Sequence, residues 1–325
     1  MKKGFTFILL LLFLDCSAQI ILNKAIDIAV ADINFNPDVI KSNKIKRIDV
    51  IISDKPDGST IVNKGAGLVY KFNENGYITR YMYTILHTQE SKEVEHPAIK
   101  KHGKIIERAN TQTVPIYIYD TINEYIFYNS RNQIISKRVK IGESFSSYYY
   151  EYNEQWQVRK QYHCKETNIS GNKFEFKLGE QKLMSSDIFE YSKLTNTQTK
   201  KKTLNDNLNV YKKAIINYDD KKNKISENSE FIVSCVRQEH TYAYNTVNQL
   251  IKQTYTSNEN GEIKTESIFE YEKNSNLRSE KKYKNGILVF EIQYIYDENG
   301  TLILSEVNRD YVNATVFIKK YYYYY

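Results

Sequence analysis

Along most of the chain apolar and polar residues alternate with a period of two, the pattern of strands that bury one face. Ile292, Tyr294 and Tyr296 share a face, as do Tyr148, Tyr150 and Tyr152; Tyr242/Tyr244, Phe269/Tyr271 and Tyr70/Phe72 repeat the arrangement. Charged residues such as Glu270, Glu272, Lys281 and Glu291 sit between them. Other stretches depart from this rhythm. Residues 20–34 space Leu22, Ala25, Ile26, Ala29, Val30 and Ile33 as one helical face, which predicts a short N-terminal helix. Ile45 to Ser53 reads as a strand, closed by the turn signal Pro56-Asp57-Gly58. Residues 84–114 hold no tyrosine and read as a repeat-free insertion or long loop. Residues 192–213, rich in Lys, Asn and Thr, read as exposed hairpin tips.

The strands are joined by a recurring frame: an aromatic at position 0, Asn or Asp at +1, Gly or Asn at +4 and an aliphatic at +6. Tyr296-Asp297-Gly300-Leu302, Phe72-Asn73-Gly76-Ile78, Tyr128-Asn129-Asn132-Ile134 and Tyr244-Asn245-Asn248-Leu250 fit it. Looser copies start at Tyr152, Ser257 (with Gly261) and Tyr271; Tyr218 to Ile225 reads as a copy stretched by one residue. Tyr283-Lys-Asn285-Gly286-Ile-Leu288 is shortened by one. The frame describes a hairpin. Asx opens a type I turn, and Gly or Asn at +4 takes the left-handed conformation of a G1 bulge. The aromatic at 0 then faces the aliphatic at +6, so Tyr296 is expected opposite Leu302. Asn285-Gly286 suits a two-residue type I′ turn, with Tyr283 opposite Leu288. From Tyr244 the anchors step through 257, 271, 283 and 296, a continuous antiparallel meander that is most regular over 240–310.

Tyr296-Asp-x-x-Gly-x-Leu and its relatives resemble the YD repeats of Rhs-type proteins, and Tyr283-x-Asn-Gly-x-Leu is similar to a MORN-like variant. The resemblance spans roughly residues 65–83, 120–165 and 215–310. It implies a mainly β fold: tandem Tyr-anchored hairpins in an open, twisted or partly curled sheet, forming one elongated domain over 19–325. It implies ligand or carbohydrate contact only weakly. The alternative is a tyrosine-rich antiparallel sheet with no kinship to that group.

Composition sharpens this reading. The 325 residues hold 29 Tyr but 14 Phe, although the two codon sets are equally AT-rich, so the excess is structural in origin. With 4 Pro and 12 Gly, collagen-like and Gly/Pro-rich disordered chains are excluded. Lys2, Lys3, an apolar run from Phe5 to Leu14 and small residues before Gln19 have the form of a secretory signal over 1–18, cleaved between Ala18 and Gln19. The alternative is lipid attachment at Cys16, against which stands Asp15 in place of the small residue that a lipobox wants. The net charge of +7 is spread among interleaved acids and bases, which argues against a nucleic-acid groove. The terminal run Tyr321 to Tyr325 fits no repeat position and is expected as a final edge strand. Lys281, Lys282 and Glu280 interrupt both strand faces, which argues against strands that face lipid.

Candidate chemistry is sparse. His87, Glu90, Glu93, Glu95, His96 and His102 are ligand types gathered in the insertion, without a fixed zinc spacing. Cys164 and Cys235 could pair as a disulfide in an exported protein or stand as two separate thiols. Asp219-Asp220 sits at a turn position where Asp has a structural role. No phosphate loop, GxSxG elbow or triad order is present, and no cofactor is implied. The reading is a non-enzymatic exported β-repeat protein that binds a protein or glycan partner at the cell envelope, periplasmic, outer-membrane-associated or extracellular. The alternatives are a metal-dependent enzyme with its site in 84–114 and a structural envelope lipoprotein.

Overall fold

A computed structural model describes residues 20–325 apart from 22–27, 29–30, 32, 56–57, 59, 97–98, 102–103, 108–109, 142–143, 171–175 and 260. The signal segment and Cys16, Ala18 and Gln19 lie outside the described residues. One helix, α1 (Pro37–Ser42), precedes the strands. These are β1 (Arg47–Asp54), β2 (Val62–Phe72), β3 (Ile78–His96), β4 (Ile99–Lys101), β5 (Lys104–Glu107), β6 (Asn110–Tyr128) and β7 (Ile134–Ile141). They continue as β8 (Ser144–Tyr152), β9 (Val158–Asn168), β10 (Leu178–Lys193), β11 (Gln198–Leu204), β12 (Val210–Tyr218), β13 (Lys224–Phe231) and β14 (Arg237–Tyr244). The last are β15 (Leu250–Ser257), β16 (Ile263–Tyr271), β17 (Leu277–Lys284), β18 (Ile287–Tyr296), β19 (Ile303–Asp310) and β20 (Thr315–Tyr324).

Each strand except the short pair β4–β5 is hydrogen-bonded to the next in an antiparallel meander of 18 strands, and β20 pairs back onto β1. The sheet is therefore a closed barrel. This corrects both the resemblance to Rhs-type YD repeats, whose hairpins build an open meander, and the open or curled sheet that it implied. It also gives the terminal tyrosines a place: Tyr321 faces Val50, Tyr322 faces Asp49, Tyr323 faces Ile48 and Tyr324 faces Arg47 across the seam. The last strand has no free edge, because both its sides are paired.

The turns alternate between two ends. At one end lie the hairpins after Phe72, Tyr128, Tyr152, Tyr218, Tyr244, Tyr271 and Tyr296. Those after Ser257 and Tyr283 belong to the other end. The true unit is thus two strands long, and Tyr218, Tyr244, Tyr271, Tyr296 and Tyr323 mark it.

The local turn chemistry is uniform. Gly76, Asn132, Trp156, Lys222, Asn248, Ser275 and Gly300 all have positive φ at +4. Where the +1 residue is Asx, its side chain accepts from the backbone N–H two or four residues on, as Asn73 does from Asn75 and Tyr77 and Asn129 from Arg131 and Gln133. Tyr128 pairs with Ile134, Tyr244 with Leu250 and Tyr271 with Leu277. Tyr283 pairs with Leu288 around Asn285 and Gly286, whose φ values are 50° and 80°.

Several details differ from the sequence reading. Tyr296 faces Ile303, because the Asp297 N–H bonds the carbonyl of Leu302 and the loop is one residue longer. Tyr218 faces Lys224, an unstretched copy whose left-handed position is Lys222. A further copy, Leu204-Asn205-Leu208-Val210, closes a turn at the opposite end. Residues 192–213 are barrel strands rather than tips alone. Residues 84–114 form a hairpin, not a loop: β3 and β6 stay paired from Arg80–Tyr125 to His96–Asn110.

The core sits at the tyrosine-turn end. Ile20, Ile21, Ile33, Phe35, Val39 and Ile40 pack with Ile48, Tyr70, Phe72, Ile78, Ile126, Leu250, Leu277, Ile303 and Tyr321 in one cluster. A segment touching strands from β15 through the seam to β6 can do so only from the concave side, so the described residues among 20–45 plug that end of the barrel. The described residues of 20–34 are not helical: Ile21 forms an isolated bridge with Phe35. The helix starts only at Pro37, where Asn36 Oδ1 caps the Asp38 N–H at 3.1 Å and proline occupies the first turn. Phe35 stacks edge-on against Tyr70 and Phe72 at 4.9 and 5.5 Å between centroids.

Candidate functional site

Directly paired residues share a face of the sheet, so the plug identifies every inward position. The tyrosine anchors point inward, and the positions before them point outward. That outward ring reads Lys71, Phe127, Glu151, Asn217, Ala243, Glu270 and Ile295. Ion pairs lie on the outer face in mid-strand, among them Lys252–Glu266 at 2.7 Å, Lys281–Glu270 at 2.8 Å and Arg309–Glu291 at 3.5 Å. A lipid-facing barrel needs an apolar outer band flanked by aromatic girdles. This outer surface suits water. Among the described residues no helix is long and apolar enough to cross a membrane.

One outward patch is buried. Glu166, with a fully buried side chain, accepts from Arg138 Nε at 2.8 Å, Ser147 Oγ at 2.6 Å and Gln181 Nε2 at 2.9 Å, and from Tyr149 Oη. Phe176 covers it, 4.0 Å from the Arg138 guanidinium and 4.9 Å from the Phe145 ring. Burial pushes the Glu166 carboxyl up, but the hydrogen bonds from Ser147, Tyr149 and Arg138 outweigh it and hold the group below its ordinary range. Burial, then the bond to Glu166, raises Tyr149 to about 12. Cys164 lies beside this network, buried, its thiol raised by desolvation. The set is satisfied internally and reads as a structural clasp.

The inner wall away from the plug is different. Its rings and lysines are only partly covered, as expected where an 18-strand circumference leaves a lumen too wide for side chains to fill. Lys201 lies 4.3 Å from the Phe189 ring, Lys212 lies 4.8 Å from Phe231, and Tyr148 stacks on His163 at 4.6 Å. His240 sits 4.7 Å from Tyr255, and desolvation lowers its pKa.

A concave site lies at the rim opposite the plug. A cavity of about 600 Å³ opens at the ends of β13, β14 and β15 and the turn after Ser257. Three kinds of polar group line it: the amides of Asn228, Gln238 and Asn258, the hydroxyls of Ser229, Thr256 and Ser257, and the charges of Glu230, Arg237, Glu239 and Glu262. Arg237 Nε lies 3.3 Å from Glu230, and the Arg237 N–H donates to Asn258 Oδ1 at 2.7 Å. Strand pairing sets them in two rows on opposite faces of the sheet, Asn228, Glu239 and Thr256 in one and Ser229, Gln238 and Ser257 in the other, and both rows border the cavity at the rim. The sequence reading named none of them. The available signal was a cluster of short polar side chains at strand ends that the repeat brings to one rim.

The candidates named from sequence are dispersed. His87, Glu95 and His96 lie on β3 beyond the barrel, and His102 lies outside the described residues. Among the described residues no group of three or more His, Cys, Asp or Glu could hold a metal ion. Cys164 is on β9, whereas Cys235 is exposed in the turn between β13 and β14, and both thiols are free.

No family model matches the chain, and no curated protein does. Solved structures align with the chain at low similarity. A porin-like protein from Bacteroides uniformis aligns over 86% of this chain and 96% of its own, with 9% identity and a TM-score of 0.38. A porin-like protein from Bacteroides vulgatus aligns over 72% of this chain and 98% of its own, with 7% identity and a TM-score of 0.28. The TcdB2-TccC3-Cdc42 structure aligns over 84% of this chain but 18% of its own, with 10% identity and a TM-score of 0.25. What the chain itself shows is a plugged, closed 18-strand antiparallel barrel.

Proposed function

We propose that this chain is an exported, non-enzymatic barrel protein of the cell envelope that binds a glycan at the rim cavity. The cavity's lining carries the reading. Sugars present dense, directional hydroxyls, and amides, carboxylates, hydroxyls and one guanidinium held on paired strands match them as donors and acceptors. The groove is built on strands, so its groups are preorganised. Export is supported by the Lys2-Lys3 start and the apolar run that follows.

The test is affinity electrophoresis of the mature protein through gels containing soluble polysaccharides, with reducing-sugar release measured in parallel. Retardation by a polysaccharide, lost in the Gln238→Ala/Glu239→Ala variant at unchanged melting temperature, is expected. Equal mobility of the wild type in every gel, or equal retardation of the variant, overturns the assignment. Release of reducing ends would replace a binding protein by a hydrolase using the cavity carboxylates.

A further inference from the structure

The β3–β6 hairpin extends far past the barrel. Pairing of β3 with β2 stops at Tyr83–Leu68, and pairing of β6 with β7 stops at Asn123–Lys140. Beyond these points the two strands pair only with each other, up to His96–Asn110. A two-stranded ribbon of this length is marginal alone in water, and each of its edges presents unpaired backbone N–H and C=O groups. The two edges are unequal. Pro115 interrupts β6, and strands tolerate proline where the missing donor faces away from the ladder, so the outer edge of β6 is guarded. The β3 stretch from Thr84 to His96 holds no proline.

The β3 edge is also self-complementary in charge. Glu90, Ser91, Lys92 and Glu93 are exposed. If two copies of β3 run antiparallel with Ser91 opposite itself, Glu90 of each copy falls opposite Lys92 of the other, twice per pair. Cross-strand opposite charges on one face stabilise a sheet, whereas like charges destabilise it. Ile116 and Ile118, which face Glu90 and Thr88 within the ribbon, are 39% and 38% exposed. They lie on the same face as the Glu90–Lys92 pairs. Joining two ribbons would therefore give a four-stranded sheet whose central Glu90–Lys92 pairs are flanked on each outer strand by Ile116 and Ile118.

We propose that the chain dimerises with a second copy of itself through the free edge of β3, antiparallel and centred on Ser91. The symmetry is isologous, as expected of a two-fold homodimer. The interaction is independent of the rim cavity, which lies on β13 to β15.

The test uses the full mature chain and light scattering after gel filtration. The wild type is expected at twice the chain mass. Glu90→Lys or Lys92→Glu alone places like charges opposite each other and should shift the protein to single-chain mass. The double variant Glu90→Lys/Lys92→Glu swaps the charges and should restore the dimer. In a Cys235→Ser background, Ser91→Cys should form an intermolecular disulfide under mild oxidation, whereas Thr113→Cys on β6 should not. A monomeric wild type, a dimer indifferent to both single reversals, or equal cross-linking at the two cysteine positions overturns the proposal.

Discussion

The hydroxyl of Tyr323 donates to the backbone carbonyl of Ile303 at 2.8 Å. The contact belongs to a series. Tyr128 donates to the Ile78 carbonyl, Tyr152 to Ile134, Tyr244 to Lys224, Tyr271 to Leu250 and Tyr296 to Leu277, at 2.7–3.1 Å. In each case the acceptor is the residue that faces the aromatic of the preceding hairpin. Tyrosine is chosen over phenylalanine because its ring fills the core while its hydroxyl stitches one turn to the next. Tyr323 performs the same task at the seam where β20 meets β1 and the barrel closes.

Tyr323→Phe is expected to destabilise the barrel by about 1–3 kcal/mol, the cost of leaving a buried carbonyl unpaired, and Tyr296→Phe by a similar amount. Tyr322→Phe and Tyr325→Phe, at exposures of 45% and 63%, should change stability by no more than about 0.5 kcal/mol. Urea titrations of the four variants check this. Equal effects at exposed and inward tyrosines would remove the ladder as a stabilising device.

The turn frame was legible because its demands are local: a left-handed residue at +4 and an Asx acceptor at +1 must appear in the sequence itself. Closure was not. The β1–β20 register joins Arg47 to Tyr324, and no local signal marks residues so far apart. Lys222 and Leu208 hid two turns, because neither residue type advertises positive φ. The spacing of Ile26, Val30 and Ile33 imitates a helix, although Ile33 meets the core from a segment whose described residues are extended or bent. The rim cavity was illegible for a related reason: Asn228, Glu239 and Thr256 become neighbours only through strand register.

Gly76 and Gly261 separate backbone freedom from packing. Both have similar positive φ, +83° and +86°. A Cβ at Gly76 would collide with the Pro37 carbonyl where the plug meets the first hairpin, whereas a Cβ at Gly261 meets nothing within 4 Å. Alanine at either site costs about 1–2 kcal/mol for the left-handed conformation. At Gly76 the clash adds about 1–3 kcal/mol more. Thermal unfolding of the two variants should therefore rank Gly76→Ala well below Gly261→Ala, and equal losses would mean that the plug does not press on this turn.

The Glu166–Arg138 clasp should behave as a buried ion pair. Glu166→Gln leaves the guanidinium uncompensated under Phe176 and should cost about 3–5 kcal/mol, whereas the apolar pair Glu166→Leu/Arg138→Met should be close to neutral. The pH dependence has a fixed sign. The carboxyl is held below its ordinary 4.5 in the fold, so its stabilisation is present above that value and is lost as pH falls through the lower folded value. Denaturant midpoints followed into acid should fall less steeply for the apolar pair than for the wild type, and parallel curves would exclude Glu166 from the acid response.

The tyrosine ladder makes an alkaline counterpart. Burial raises Tyr128, Tyr296 and Tyr323 above the ordinary 10.0, and raises Tyr150 to about 12. Their neutral forms are the ones the fold binds. The stabilisation is thus complete below 10.0 and is lost as pH rises through the folded values. Alkaline unfolding, followed by near-ultraviolet circular dichroism, should therefore coincide with ionisation of the inward tyrosines, followed by phenolate absorbance. Tyr323→Phe should move the loss of tertiary signal to lower pH, because it weakens the seam. Complete phenolate absorbance of the inward tyrosines before any loss of tertiary signal would mean that they meet solvent freely and that the ladder does not hold the turn end closed.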